Sequence, residues 1–249
     1  MKRIVVFLIF SVFTLHLQAE KISIFVASSA SKAMSELREI FMQNHPNDEI
    51  ELIFGASGKH YQLLKEGREF DLFFSADAKY AAQIAKDGNA LSEPKIYALG
   101  VVALYSLDEA LLKGGVEKLG EKADKIKHLS IANPKVAPYG VAASEILKNL
   151  QLEKQFKNKI VLGDNISQPV LYIDSGAAEL GIVAYSLVSS VNLPKGKAVL
   201  INPKFYTPLE QSFVLTKYAK DKKLALEFAD FIISNEAKAI FKKYGFDTP

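Results

Sequence analysis

The stretch KISIFVASSASKAMSELREIF, residues 21–41, sets the fold class of this chain. It starts with β-branched and aromatic residues typical of a strand, and then Met34, Leu37 and Phe41 recur at the spacing of one helical face. Between the two parts lies Ala27-Ser28-Ser29, a loop of small and hydroxyl-bearing residues. The stretch therefore predicts a strand, a loop and a helix, the repeating unit of an α/β protein.

The same alternation of strand and helix repeats along the chain. Apolar runs predict further strands at 51–54, 71–74, 99–105, 129–132, 160–162, 181–183, 198–201 and 212–216. Their continuous apolar character favours parallel sheets covered by helices on both faces. Two α/β halves are expected, and the helical segments at the end of the chain resume the pattern of the first half.

Composition narrows the class of protein. The chain has 249 residues, of which 49% are hydrophobic, with 31 basic and 28 acidic side chains and no cysteine. These values exclude a disordered chain, a disulfide scaffold and a thiolate metal site. The small net charge of +3 does not suggest a nucleic-acid partner, which requires a concentrated basic surface.

The N-terminus has the pattern of a secretory signal peptide. Lys2 and Arg3 precede an apolar run from residue 4 to 13, and a short segment ends at Ala19. We expect residues 1–19 to be removed and the rest of the chain to be a free protein of the periplasm. No cysteine is present that could carry a lipid anchor.

Four predicted loops share one chemistry. Each combines small or hydroxyl-bearing residues with the start of a helix, at residues 27–29, 55–58, 137–140 and 164–167. Helix starts leave backbone N–H groups without intrahelical partners and carry partial positive charge, so four of them facing one cleft would bind an anion. The alternative is that these Ser, Asn and Asp residues only cap their helices. The GASG loop, residues 55–58, favours a ligand, because its two glycines allow close approach of the backbone.

Six short segments, spread in order over nearly the whole chain, resemble one known family. They are FVASSASKAM at 25–34, GASGKHY at 55–61, DLFFSAD at 71–77, NPKVAPYG at 133–140, LGIV at 180–183 and IFKKYGF at 240–246. This set is similar to the periplasmic molybdate-binding proteins of ABC importers, the ModA family. The resemblance implies the two-lobed α/β fold of type II periplasmic binding proteins, with the ligand held between the lobes.

The resemblance also implies a set of site residues. The family's binding hydroxyls fall on Ser29, with Ser28 beside it, and on Ser57, and its backbone N–H donors fall on Tyr139 and Ile166. Through Ser29, Ser57, Tyr139 and Ile166 the protein would hold molybdate or tungstate, a transported ligand rather than a cofactor. It would then deliver the oxyanion to a membrane-embedded ABC permease, and we expect a monomer.

Two further expectations follow from the resemblance. One subgroup of the family uses a tyrosine directly after the LGIV strand, but this chain has Ala184 there and Tyr185 one place later, so that contact is not expected. The lobes should comprise residues 20–100 with 206–249 for lobe one, and 101–205 for lobe two. Chain crossings are expected near Gly100 and Tyr206.

Other functions stay open on the residues alone. A receptor for sulfate, phosphate or another small anion would use the same loops. A secreted serine hydrolase would need Ser29 or Ser57 beside a histidine such as His60 and an acid such as Asp71 or Asp77. A ferric-ion receptor would draw on Tyr139 and Tyr185.

Overall fold

A computed structural model describes residues 19–248 of the chain. The predicted signal peptide, residues 1–19, lies outside this range except for Ala19. None of the helices within the range has the length and apolar character that a membrane crossing requires.

Strands and helices alternate along the described residues. The strands are β1 (Lys21–Ala27), β2 (Glu49–Gly55), β3 (Leu72–Ser75), β4 (Lys95–Gly100), β5 (Val102–Ser106), β6 (Leu129–Ala132), β7 (Ile160–Gly163), β8 (Leu180–Ala184), β9 (Lys197–Leu200) and β10 (Leu209–Leu215). The α-helices are α1 (Ser31–Met42), α2 (Ser57–Lys65), α3 (Ala78–Lys86), α4 (Glu109–Leu112), α5 (Pro138–Asn149), α6 (Glu153–Phe156), α7 (Ser167–Asp174), α8 (Tyr185–Val188), α9 (Lys223–Ile232) and α10 (Asn235–Lys243).

The strands form two five-stranded sheets. The first has the order β2-β1-β3-β10-β4 and the second has the order β7-β6-β8-β5-β9. The expectation of parallel sheets is correct for β1, β2 and β3 and for β6, β7 and β8, but β10 and β5 run antiparallel to their neighbours. A continuous apolar run shows that a strand is buried on both faces, and it carries no information on strand direction.

The predicted long strand over 99–105 is wrong. The chain instead forms β4 and β5, separated at Val101 and belonging to different sheets. The apolar run is continuous because the chain stays buried while it crosses from the first sheet to the second. Gly100 and Val102 therefore lie at the junction of the two halves.

Separate cores hold the two sheets. In the first, Phe41 of α1 packs edge-on against Phe228 of α9, with ring centroids 5.1 Å apart. Leu37 and Met34, which share that helical face, are fully buried, and each such side chain stabilises the fold by about 1.5–3 kcal/mol relative to exposure. The C-terminal helices thus pack against α1 and fix the loop between β1 and α1.

Candidate anion-binding site

The four loops predicted to share one chemistry meet at one small cavity. They leave the carboxyl ends of β1, β2, β6 and β7, the edge of an α/β sheet where ligands bind. A fifth contribution, Ala76, follows β3. The lining residues are Ala27, Ser28, Gly55, Ala56, Ser57, Ala76, Ala137, Pro138, Tyr139 and Ile166.

Four of the five predicted site residues line this cavity. Ser28, Ser57, Tyr139 and Ile166 are each at most 4% exposed. Ser29 is equally buried, but its side chain turns away, and its hydroxyl donates a hydrogen bond to Gln211 Oε1 over 3.2 Å. The structure therefore places Ser28, rather than Ser29, on the cavity wall.

Three helices begin at the cavity, and the residue directly before each of them supplies no side-chain cap. The residues that precede α2, α5 and α7 are Ala56, Ala137 and Ile166, and none of them offers a side-chain acceptor to the first turn. Ser57 is the first residue of α2 rather than its cap. Since the first N–H groups of a helix have no intrahelical acceptor, these three ends leave donors for another partner.

Away from the cavity, α3, α4 and α10 are capped by the side chain of the preceding residue, whereas α1, α6, α8 and α9 are not. Asp77 accepts from Tyr80 N at the start of α3, and Ser234 accepts from Ala237 N at the start of α10. The alternative that the loop residues only cap their helices fits just one side chain at the cavity, Asn165, which accepts from Ser167 N over 2.9 Å. Capping therefore does not account for the loops as a group.

The two cavity serines differ in what their hydroxyls can still do. Ser57 Oγ accepts a hydrogen bond from Ala76 N at 3.0 Å, which leaves its own proton free. Ser28 Oγ donates its proton to Gly55 O at 3.2 Å, so it retains lone pairs but no donor. Of these two hydroxyls, only that of Ser57 is prepared to donate to a ligand.

The halves of the molecule touch around the cavity. Gly58 N, at the start of α2, donates to Val136 O in the second half over 2.8 Å. Ser186 Oγ donates to Ser29 O over 2.7 Å on another side. The two halves are therefore in direct contact on two sides of the cavity.

Electrostatically, the cavity is a neutral set of dipoles. None of its lining residues carries a formal charge. Burial raises the pKa of the Tyr139 phenol well above its usual range, so that this side chain stays neutral. Lys59 is exposed, as a hydrated helix-start lysine should be. The arrangement can hold an anion through N–H and O–H donors without a permanent cation.

The residues considered for a hydrolase do not assemble. His60 stacks on Phe25 with ring centroids 4.2 Å apart, and its Nδ1 lies 3.2 Å from Ala56 O. Within residues 19–248, no histidine forms a hydrogen bond with Ser29 or Ser57. A serine nucleophile needs such a base.

The two candidate acids have other partners. Asp77 caps α3. Asp71 accepts from Ser23 N at 2.8 Å and pairs with the Lys222 ammonium at 2.7 Å. Both carboxylates thus stabilise local structure.

Tyr185 does not reach the cavity. It begins α8 and lies against Gly245, where an added Cβ would be 2.7 Å from Tyr185 Cδ1. Tyr139 and Tyr185 therefore lie at different places, and in the described part of the chain no three His, Cys, Asp or Glu side chains are grouped to hold a metal ion.

Two residues near the cavity were not predicted from the sequence. Gln211 and Ser186 both hydrogen-bond to Ser29 and are buried. The sequence does carry a signal for Gln211. It lies two residues from the apolar Leu209 and Phe213, and residues at this spacing share one face of a strand, here the buried face. Such a polar residue at a core position requires a partner.

Comparison with known proteins places the chain in a family. The family model described as bacterial extracellular solute-binding protein matches residues 22–247. The chain belongs to this family. The solute-binding family is one of transport receptors, and the predicted type II periplasmic binding-protein fold is confirmed.

Relatives of this solute-binding protein match it over nearly its full length. It is 32% identical to the molybdate-binding protein ModA of Rhodobacter capsulatus, covering 90% of this chain and 86% of that protein. The structure of the Azotobacter vinelandii periplasmic molybdate-binding protein superposes with a TM-score of 0.85 at 27% identity, covering 92% and 99% of the two chains. A substrate-binding domain of a putative molybdenum ABC transporter from Clostridium difficile gives 0.70 at 26% identity, covering 93% and 100%.

Proposed function

We propose that this protein captures molybdate or tungstate at this cavity in the periplasm and delivers it to a membrane-embedded ABC permease. The observation that carries the proposal is that the starts of α2, α5 and α7, none of which is capped by the residue directly before it, converge on one buried, neutral cavity. The relatives named as molybdate-binding proteins support the choice of ligand.

The proposed donors come from both halves of the molecule. Ser57 supplies its free hydroxyl, and the backbone N–H groups of Ser57, Tyr139 and Ile166 supply the dipoles of three helix starts. Ser28 forms part of the cavity wall but supplies no hydroxyl donor. Because the donors are fixed by backbone, selectivity follows the size of the oxyanion, and sulfate, which is smaller, leaves some donors too distant to pair well.

We also propose that the halves act as two lobes that close on the ligand as a monomer. Lobe one comprises residues 20–100 and 206–249, and lobe two comprises residues 101–205. Supporting this division, each sheet draws its strands from one of these sets, and the chain passes between them at Val101 and between β9 and β10. The hydrogen bonds between the halves on two sides of the cavity support the need for opening and closing.

A thermal-shift experiment tests the ligand. The purified protein is heated with molybdate, tungstate, sulfate, phosphate or ferric citrate, each over a range of concentrations. A ligand that binds only the folded state at about 1,000 times its Kd adds about 4.1 kcal/mol, which raises the midpoint by roughly 8 to 16 °C for a chain of this size.

The ranking of the midpoints decides between the candidate ligands. We expect molybdate and tungstate to raise the midpoint where sulfate and phosphate do not, and moderate salt to preserve most of the shift, since the donors are neutral. An equal shift with sulfate or phosphate contradicts the selectivity. A shift with ferric citrate alone contradicts the oxyanion site.

A further inference from the structure

Gln211 is a fully buried amide in β10, where the pairing between β10 and β4 shifts register between Gln211 and Ser212. The shift is a β-bulge or a similar irregularity, and such features re-aim side chains. A buried amide is costly unless its donors and acceptors are paired. The hydrogen-bond partners of the Gln211 amide therefore indicate its role.

Both the oxygen and the nitrogen of the Gln211 amide have hydrogen-bond partners. Oε1 accepts from Ser29 Oγ at 3.2 Å and from Tyr97 Oη at 3.3 Å. Nε2 donates to Tyr139 Oη at 3.4 Å and lies 3.5 Å from Ala76 O. The carbonyl of Ala76 can only accept, which fixes the amide nitrogen on that side.

These partners belong to different lobes. Ser29 and Tyr97 lie in lobe one with Gln211, whereas Tyr139 is the second residue of α5 in lobe two. The crossing of the chain passes directly beside the pair, because a Cβ on Gly100 would lie 2.5 Å from Tyr139 Oη and 2.6 Å from Gln211 Nε2. The link between Gln211 and Tyr139 thus spans the lobes at their junction.

The link also joins two parts of the candidate site. Ser29 follows β1 in the loop that lines the cavity, and Tyr139 carries one of the proposed backbone donors. Through one amide, the lobe-one loop and the lobe-two helix start are held at a fixed spacing. Ser186 Oγ strengthens the same junction by donating to Ser29 O.

We propose that Gln211 is a positioning residue that couples lobe closure to oxyanion binding, by linking the Ser29 loop to Tyr139 in the closed state. This rests on the proposed function. Because the link crosses the lobes, it forms on closure and is lost on opening. It stabilises the bound, closed protein and contributes little to the ligand-free, open protein.

The chain offers a matched pair of variants. Tyr139→Phe and Tyr97→Phe each remove one phenol hydroxyl bonded to Gln211, and both tyrosines are 1% exposed. Only Tyr139→Phe breaks the contact between lobes, and it leaves the backbone N–H of residue 139 in place. For each protein, the molybdate Kd is measured by calorimetric titration and the dissociation rate by stopped flow, and the unfolding midpoint is measured without ligand.

We expect Tyr139→Phe to raise Kd about three- to tenfold, mainly through faster dissociation, with little change in the ligand-free midpoint. Tyr97→Phe should lower the ligand-free midpoint and change Kd less than twofold. Gln211→Met, which removes the amide and keeps its approximate volume, should raise Kd at least as much as Tyr139→Phe. Adding Tyr139→Phe to Gln211→Met should weaken binding no further, since both remove the same link.

The outcomes separate this proposal from the proposed function. If the unaltered protein does not bind molybdate, the proposed function is wrong and this coupling is wrong with it. If the unaltered protein binds and Tyr139→Phe and Gln211→Met bind equally well, only the coupling is wrong. Additive effects of the two substitutions, or a fall in ligand-free midpoint with unchanged Kd, would assign Gln211 a purely structural role.

Discussion

Closure of the lobes can be tested at Gly58, where the two halves are in backbone contact. Gly58 N donates to Val136 O at 2.8 Å, and a Cβ added to residue 58 would lie only 2.9 Å from the same oxygen. The added Cβ would also clash with the Tyr80 hydroxyl, but that hydroxyl ends a side chain that can move. The Val136 carbonyl belongs to the backbone and cannot move as easily. Gly58→Ala therefore forces the lobes to stop short of the closed geometry by roughly 0.5 Å.

The cost falls on the closed state. Lengthening the hydrogen bond loses about 0.5–1.5 kcal/mol and overpacking of the contact adds about 1–3 kcal/mol. We expect affinity for molybdate to fall by about 2–4 kcal/mol, or roughly 30- to 1,000-fold. In the open protein the same alanine has a helical position with ordinary φ, so the ligand-free midpoint should stay level or rise.

Calorimetric titration and thermal unfolding together make the measurement. Gly120→Ala is the control, because a Cβ there would meet only the ends of the Leu152 and Gln155 side chains, both within lobe two. This control should bind molybdate as the unaltered protein does. Unchanged affinity in Gly58→Ala would refute the reasoning that binding requires this contact between the lobes.

Three further predictions concern the hydroxyl donor and two other groups of lobe one. Ser57→Ala should lower molybdate affinity in calorimetric titration by about 1.5–3 kcal/mol, ten- to a hundredfold, and an unchanged affinity would remove this serine from the site. Lys222→Met leaves the Asp71 carboxylate, whose side chain is 4% exposed, without its ammonium partner. The free energy of unfolding in urea should fall by about 1–3 kcal/mol with affinity unchanged, and an equal fall in affinity would contradict the separation of this pair from the site. Burial lowers the pKa of His60 in the folded protein below its ordinary value of 6.5. As the pH drops below 6.5, the unfolded chain therefore takes up a proton before the folded protein does, and the free energy of unfolding falls. His60→Phe keeps an aromatic ring stacked on Phe25 but has no group that titrates. The urea midpoint of this variant should therefore not fall between pH values above and below 6.5. The same fall in the variant would mean that another group causes it.

The sequence predicts local structure well because its signals are local. The alternation of strand and helix and the loops at strand ends depend on residues within a few positions of one another. By contrast, the assignment of the 99–105 run to a single strand failed at Val101. Nothing in an apolar run tells which of two sheets will take each part, since that depends on residues distant in sequence.

In the candidate site, too, the features set by neighbouring residues could be predicted and those set by distant residues could not. The cavity loops at 55–58 and 137–140 were predictable, because glycine, proline and small residues mark the start of a helix at a strand end. The direction of the Ser29 hydroxyl was not predictable. Its acceptor, Gln211, is 182 residues away along the chain, and the contact exists only because β10 inserts into the first sheet.

The hydroxyl directions decide how an oxyanion can be held here. Ser29 donates to Gln211 and Ser28 donates to Gly55 O, so neither proton is available to a ligand in this arrangement. Ser57 alone of these three has its lone pair used by Ala76 N and its proton free. The remaining donors are then backbone N–H groups at helix starts, which any side chain can accompany. The proposed site can therefore use Tyr139 and Ile166, two residues with no common side-chain chemistry, at equivalent positions around one anion.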